Sequence, residues 1–458
     1  VSDASTTTPE ARPEQAPASG FRRIGILRLS WPLLVVTLVT LLAVIADTVI
    51  LSVGSPELNA AVSTANQLLG IPYDLSVLFS IGALVVIAQL LGAGRLASAR
   101  RATIIALRAN TALGLAIVVA LAVLGPWLVS VVNTPDELVG ESLVYLYAVL
   151  GGVLFNAYLV VATAILRAYG RTVVILVLGL ALNLSYLVMQ YVFILVLDMG
   201  AAGAALSTTL ARGGTAVIVA WVVYRRTGAH LFSKLPPREA ETGAVRMAKL
   251  SVPTVVENAA YNVGILVLVS FVNLLGTDAI NARSYALTLT ALVTGIVLAL
   301  AQANETIVGW DTGGRTPAHA RRLTLRVAAW AAGASVVLAL VLWYFADAVL
   351  SIFGANADVV AGAREVLLLS VVLLPLAAVT AVVYGALRST GDVVVPMVYS
   401  IASSVVVLVP LAWIFVGVLG WGLSGAWWAL IAAEAVKATL LLARWLRGRW
   451  AARAPITS

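Results

Sequence analysis

Cysteine is absent from all 458 residues, and charge is scarce, with Asp, Glu, Lys and Arg together making 11%. The first absence removes disulfides, zinc-thiolate centres and cysteine nucleophiles at once. The second excludes an ordinary soluble domain, in which roughly 25% of residues are charged. Strand-length alternation of apolar and polar residues is missing too, which excludes a membrane β-barrel. There is no GxxxxGK[ST] loop: the glycine-rich pieces LGAGR and DTGGR lack that pattern and its strand-to-helix setting. Neither HExxH nor a paired-Asp membrane-enzyme pattern occurs. The sequence predicts no enzyme, no ATP hydrolysis and no cofactor.

What the chain has instead is apolar length. Hydrophobic residues make 61% and mean hydropathy is +1.01. Twelve apolar segments stand at about 29–53, 60–91, 103–125, 138–166, 172–197, 201–224, 248–275, 281–309, 323–346, 362–387, 393–419 and 423–445. Each holds on the order of 20 residues or more, enough to cross a bilayer. The predicted fold class is an all-α polytopic membrane protein with twelve transmembrane helices. The net charge of +8 does not argue for nucleic acid, because the cations lie in loops beside the spans.

Those cations orient the chain. Alternate loops hold Arg22, Arg23 and Arg28; Arg95, Arg100 and Arg101; Arg167 and Arg171; Arg225, Arg226, Lys234, Arg238 and Lys249; Arg315, Arg321 and Arg322; Arg388; and Arg444, Arg447 and Arg449. The intervening loops hold Glu57, Asp136, Glu137, Asp198, Asp278 and Asp358, with only Arg283 and Arg364 as cations. The first set is expected to be cytoplasmic, with both termini inside. Residues 1–20 are rich in Ala, Pro, Ser, Thr and Glu and read as a disordered tail rather than a signal peptide. The expected organisation is this tail, an N-lobe over 21–224, a cytoplasmic linker over 225–247, a C-lobe over 248–446 and a cytoplasmic tail over 447–458.

The two halves repeat. Pro32 after LSW and Pro253 after LSV stand 221 residues apart. LRAYG and LRSTG, ending at Gly170 and Gly391, share that offset, and Gly54, Gly200 and Asp136 have counterparts 222 residues on at Gly276, Gly422 and Asp358. Landmarks spread over six helices at one offset indicate duplication. Each unit has six helices, so both enter the membrane from one side as parallel repeats, an architecture in which two bundles rock about a midplane site.

The stretches LSWP and IADTVILSVG, AQLLGAGRLASARR, LRAYGRT, and ALNL with MGAAGAALST carry a resemblance, as do LSVPTVVENAAYNVGILV, LRSTGDVVVP and WGLSGAWWAL in the second half. The chain resembles the MATE (multidrug and toxic compound extrusion) family, in its bacterial DNA-damage-inducible-F-like branch. The resemblance implies a V-shaped, two-lobed antiporter in a bacterial-type inner membrane, functional as a monomer. It implies export of cationic or amphipathic compounds in exchange for H⁺ or Na⁺. It places Asp47 on the family's first-helix ion-coupling Asp and Asn183 on a fifth-helix Asn of the same N-lobe site. Leu187 stands where some members have a second Asp, and the run 366–387 lacks their tenth-helix acid.

Other residues are read on their own chemistry. Asp47 is the one carboxylate in the apolar run 29–52. A charge there costs about 3 kcal/mol on insertion scales, so it is expected to face a water-filled cavity, or else to be hydrated near the outer end. It could exchange protons or, with Asn183 and hydroxyl neighbours, ligate Na⁺. Asp74, after Pro72, either lines the same cavity or satisfies backbone freed by the proline. Glu257 and Tyr261 in the seventh helix are candidate substrate contacts in the C-lobe cavity. Glu305, near the inner end of the eighth, either gates the cytoplasmic side or is a hydrated helix end. Glu434 and Lys437 have the spacing of a structural ion pair. Arg212 pairs with a neighbour or reaches the interface. Trp31, Trp127, Trp343, Trp421, Trp445 and Trp450 read as belt anchors, and His230 and His319 as solvated. The alternative function is a lipid or lipid-linked precursor flippase, which calls for a more basic cavity than the acids of the central helices suggest.

Overall fold

The computed structural model describes residues 24–54, 56–131, 136–235, 243–352 and 356–451. The expected N-terminal tail, Arg22, Arg23 and most of the C-terminal tail lie outside them. In chain order the spans are α1 (Ile26–Gly54), α2 (Pro56–Leu75 and Leu78–Gly92), α3 (Leu96–Val131), α4 (Asp136–Ala168), α5 (Thr172–Tyr191, continued by Val192–Val196) and α6 (Gly200–Thr227). The second half has α7 (Ala244–Asn273), α8 (Thr277–Gly313), α9 (Pro317–Tyr344), α10 (Ala357–Ser389), α11 (Val394–Val418) and α12 (Gly422–Leu446). Among the described residues, twelve helices are long and apolar enough to cross a membrane.

The sequence anticipated one continuous second helix; α2 is broken at Ser76–Val77. Pro72 cannot donate a backbone bond, and both the Ser76 amide and its hydroxyl turn back to the Pro72 carbonyl, at 3.0 and 2.9 Å. One pair of departures from α geometry obeys the repeat, whereas the π stretch Ser403–Leu408 in α11 has no counterpart in α5. Wide π turns end α5 at Val192–Val196 and α11 at Trp413–Val418, 221 residues apart at their starts. The paired LRxxG motifs close α4 and α10 on glycines with φ of 69° at Gly170 and 84° at Gly391. A side chain would strain that left-handed backbone, which explains the fixed glycine.

Packing gives the molecule its V shape. One core belongs to the first half alone, around Leu51, Leu69, Leu146 and Ile194. Another belongs to the second half alone, around Leu268, Leu289, Leu350 and Trp427. The third joins Leu29, Leu84, Leu91 and Ile165 to Met247, Val297, Ile307 and Trp310 of the other half. This shared core lies toward the arginine-rich loops. The halves meet there and separate toward the acidic-loop face.

Glycines permit the closest approach. A methyl group on Gly92 would sit 2.0 Å from the Trp310 carbonyl oxygen, and one on Gly313 1.9 Å from that of Gln89. A methyl on Gly82 of α2 would meet the Met247 carbonyl of α7 at 2.1 Å. Two of the expected belt tryptophans are core residues instead: Trp445 and Trp450 are buried and stacked 4.2 Å apart, whereas Trp31, Trp127 and Trp421 are exposed.

Candidate functional site

Two cavities have polar groups in their walls, one inside the first half and one between the halves. The smaller, about 310 Å³, lies inside the first half between α1, α2, α4, α5 and α6. Asp47 lines it with Asn183, Asn66, Tyr73, Tyr145 and Arg212. The face of α5 supplies polar groups at helical spacing. Tyr186 donates its hydroxyl to Asp47 Oδ1 at 2.6 Å, and Gln190 donates its amide to the same oxygen at 2.6 Å. Ser207 of α6 in turn donates to the Gln190 carbonyl. Asn183 donates to Thr40 Oγ1 of α1 at 3.3 Å and to the Gly179 carbonyl at 2.8 Å. Asp47 is therefore a tie between α1 and α5, with two neutral donors on one oxygen. Asn183, Tyr186 and Gln190 follow an i, i+3, i+7 stripe, a pattern that could have exposed the last two in the sequence.

Asp74 is not part of this cluster. Its side chain is exposed and does not line the cavity; Tyr73, one residue earlier and turned about 100° around the helix, does. Arg212 pairs with a neighbour as expected: it donates to the Tyr73 hydroxyl at 2.7 Å and lies 4.9 Å from that ring's centroid.

The larger cavity, about 610 Å³, lies between the halves. It is lined from one side by Leu33, Ser80 and Arg167, and from the other by Glu257, Gln302, Glu305, Tyr384 and Arg388. Glu257 lines it with Asn258, between the halves rather than in a cavity of the second half alone. Tyr261 does not line it. One helical turn further on, Tyr261 instead faces Lys437, whose Nζ is 5.3 Å from the ring centroid. Lys437 pairs with Glu434 at 2.5 Å, as the spacing predicted.

Glu305 is 1% exposed, so it is not a hydrated helix end. Arg388 donates to its Oε1 at 2.7 Å, and Arg167 approaches Oε2 at 3.7 Å while donating to Gln302 at 2.7 Å. These arginines, assigned to loops from sequence, are the matching members of the two LRxxG motifs. Each ends a helix at the cavity floor, and they converge on one carboxylate from opposite halves. Nearby, Trp310 donates to the Ala168 carbonyl at 2.9 Å and Gln89 to that of Ser389 at 2.7 Å, both across the halves. His319 is also less free than expected: its Nδ1 lies 2.6 Å from Asp311 Oδ2.

The MatE family model matches the chain twice, over residues 32–192 and 253–414, one match in each half. The chain belongs to the MATE family. It is a multi-pass membrane transporter rather than an enzyme, and the double match restates the internal repeat. The chain is 25% identical over 435 residues to the uncharacterized transporter YisQ of Bacillus subtilis, covering 94% of this chain and 95% of that protein. It is 25% identical over 445 residues to a probable multidrug resistance protein NorM of Thermotoga maritima, covering 95% and 94%. Among solved structures, an outward-facing multidrug resistance MATE family transporter superposes with a TM-score of 0.86, at 22% identity over 93% of this chain and 95% of that one. In this MATE protein the polar groups beside Asp47 are a tyrosine and a glutamine, and among the described residues no second acid lines the cavity.

Proposed function

We propose that this protein is a secondary active antiporter. It exports amphipathic or cationic compounds in exchange for H⁺ or Na⁺ by alternating access. The observation that carries the reading is the bonding of Asp47 on α1 to Tyr186 and Gln190 on α5 inside a polar cavity. Charge-assisted hydrogen bonds to a carboxylate are about twice as strong as neutral ones. An H⁺ or Na⁺ arriving at Asp47 weakens or rearranges them. Helix α1, whose lower part also lines the central cavity through Leu33, Val36 and Thr37, repacks in response. Binding at Asp47 thereby lowers affinity for cargo on the acidic-loop side, taken as the outside. After the halves rock, the ion leaves and cytoplasmic cargo enters.

Glu305 is the inner gate in this scheme. Its ion pair with Arg167 spans the halves on the arginine-loop side, taken as cytoplasmic, and must break for that face to open, while Arg388 of its own half holds the carboxylate in place. Glu257 offers a carboxylate to a cationic cargo in the central cavity. The protein sits in a bacterial-type inner membrane with both termini inside and works as a monomer. The flippase alternative draws some support from Arg167 and Arg388 in the cavity, but Glu305 occupies both, leaving little for a pyrophosphate.

Dye transport in everted vesicles tests the proposal, comparing wild type with Asp47→Asn under separate H⁺ and Na⁺ gradients. Wild-type transport under one gradient, abolished in the variant, is expected and identifies the ion. Equal transport by both proteins would remove Asp47 from coupling.

A further inference from the structure

One stretch of the surface on the arginine-loop side carries charge of a single sign. There is no Asp or Glu in α3 (Leu96–Val131), in α6 (Gly200–Thr227) or in the strap 228–235 that follows α6. Arg100, Arg225, Arg226 and Lys234 are exposed on these segments. The strap folds back along α3. It begins at Gly228, where a methyl group would lie 3.5 Å from Arg100 Nε. Eight residues further along α3, Arg108 donates its Nε to the Leu231 carbonyl at 2.7 Å and its Nη2 to that of Ser233 at 2.8 Å. Irregular backbone is not left facing hydrocarbon. The strap therefore marks the level of the membrane interface, and Arg108 stands at that level.

A groove of about 370 Å³ opens beside Arg108 and runs deeper along α3. Thr111, Ala112 and Leu115 of α3, Leu154 of α4 and Phe232 of the strap line it with Arg108. The α3 residues have the i, i+3, i+4, i+7 spacing of one helix face, and Phe232 is 88% exposed. Two of its polar groups are unsatisfied. Arg108 uses two of its five N–H donors on the strap and forms no salt bridge among the described residues. Thr111 Oγ1 is buried without a hydrogen-bond partner, whereas Thr103, two turns earlier, bonds the Ala99 carbonyl. A cation without an anion and a hydroxyl without a partner, in the wall of one otherwise apolar groove, call for a ligand that is anionic at one end and apolar at the other.

We infer that this groove binds one anionic phospholipid, with its phosphate on Arg108, its glycerol ester at Thr111 and an acyl chain along Ala112, Leu115 and Leu154. The order of groups fits. Thr111 lies three residues deeper than Arg108, about 4.5 Å along the axis at 1.5 Å per residue, where the ester follows the phosphate. Guanidinium suits phosphate because its fork of donors can bond two oxygens. Charge selects the headgroup. The ammonium of a zwitterionic lipid finds no acid on α3, α6 or the strap, whereas a headgroup of net negative charge also meets Arg100 and Lys234. The strap leads from α6 toward the second half, so a lipid on Arg108 ties that connection to the bilayer. The inference concerns a bilayer partner rather than cargo, and it stands apart from the antiporter reading.

Native mass spectrometry of the purified full-length protein tests it, titrating phosphatidylglycerol against phosphatidylcholine of the same acyl chains. A diazirine on the acyl chain of phosphatidylglycerol maps the contact. Wild type is expected to retain one phosphatidylglycerol at about tenfold lower concentration than phosphatidylcholine, and to crosslink within α3 and the strap. Ala112→Trp fills the groove without touching the strap bonds, and it should remove both the retained lipid and the crosslink. Arg108→Gln erases the headgroup preference, and Thr111→Val weakens retention several-fold while keeping the preference. Arg225→Gln/Arg226→Gln, outside the groove, keeps retention and preference. Thermal midpoints of each variant separate loss of fold from loss of the lipid. Equal retention of the two lipids, crosslinks confined to other helices, or a lipid still held by folded Ala112→Trp overturns the inference. So does a preference lost as fully in Arg225→Gln/Arg226→Gln as in Arg108→Gln, which would assign it to general surface charge. A wild-type dimer that Ala112→Trp dissociates would give the groove to a second copy, and that too overturns it.

Discussion

Single residues in this membrane protein are held to strict electrostatic account. Lys437 is 7% exposed and survives at that depth because Glu434 bonds it and Tyr261 presents its ring. Glu434→Gln strands the ammonium. Breaking one side of a buried pair costs about 3–5 kcal/mol. A clear drop in the thermal unfolding midpoint in detergent is expected, with most of it recovered in Glu434→Gln/Lys437→Met. A midpoint unchanged in the single variant would show that the pair contributes nothing. Asp47 is the opposite case. Its partners are neutral, so its charge can be cancelled by a bound ion without stranding another charge on α5. That difference separates a structural acid from a coupling acid more sharply than depth in the helix does.

Elements matter here through the places where regular geometry fails. The break at Ser76–Val77 turns the second part of α2 into the shared core, and the π turns that end α5 and α11 recur at the repeat offset. The contact of α2 with α8 depends on glycine, since methyl groups at Gly92 and Gly313 would overlap carbonyl oxygens. Gly313→Ala is therefore expected to force the arginine-loop face apart while each half keeps its own core. The cysteine-free chain provides the readout: Ser80→Cys places a lone thiol in the central cavity. Maleimide labelling from the arginine-loop side should rise several-fold in the glycine variant. An unchanged rate would mean that the helices accommodate the methyl without parting.

For the whole molecule, the balance between two rocking states is set at a few cross-half contacts. Glu305 bridges Arg167 and Arg388, and its removal leaves two guanidinium groups facing one another. Glu305→Gln is expected to depopulate the state closed at the arginine-loop face. The same Ser80→Cys probe should label faster, and a spin-label distance across the two halves at that face should lengthen. If neither changes, the lock is redundant with the Gln89–Ser389 and Trp310–Ala168 bonds beside it. The second outcome would place the gate in packing rather than in charge.

The sequence by itself determined the twelve spans, the duplication and the family, because length, hydropathy and offset are properties of the chain read along one dimension. It also singled out Asp47, Asn183 and Glu257, whose positions the structure puts on cavity walls. What it could not decide was which polar residues meet. Tyr186, Gln190 and Arg212 converge on the Asp47 cavity from two other helices, while Asp74 and Tyr261 turn away, one helical step or one turn from a cavity-lining neighbour. Arg167 and Arg388 looked like loop charges, yet they close on Glu305 from opposite halves. Helix register and the crossing of helices hundreds of residues apart fix these meetings, and only tertiary packing sets both.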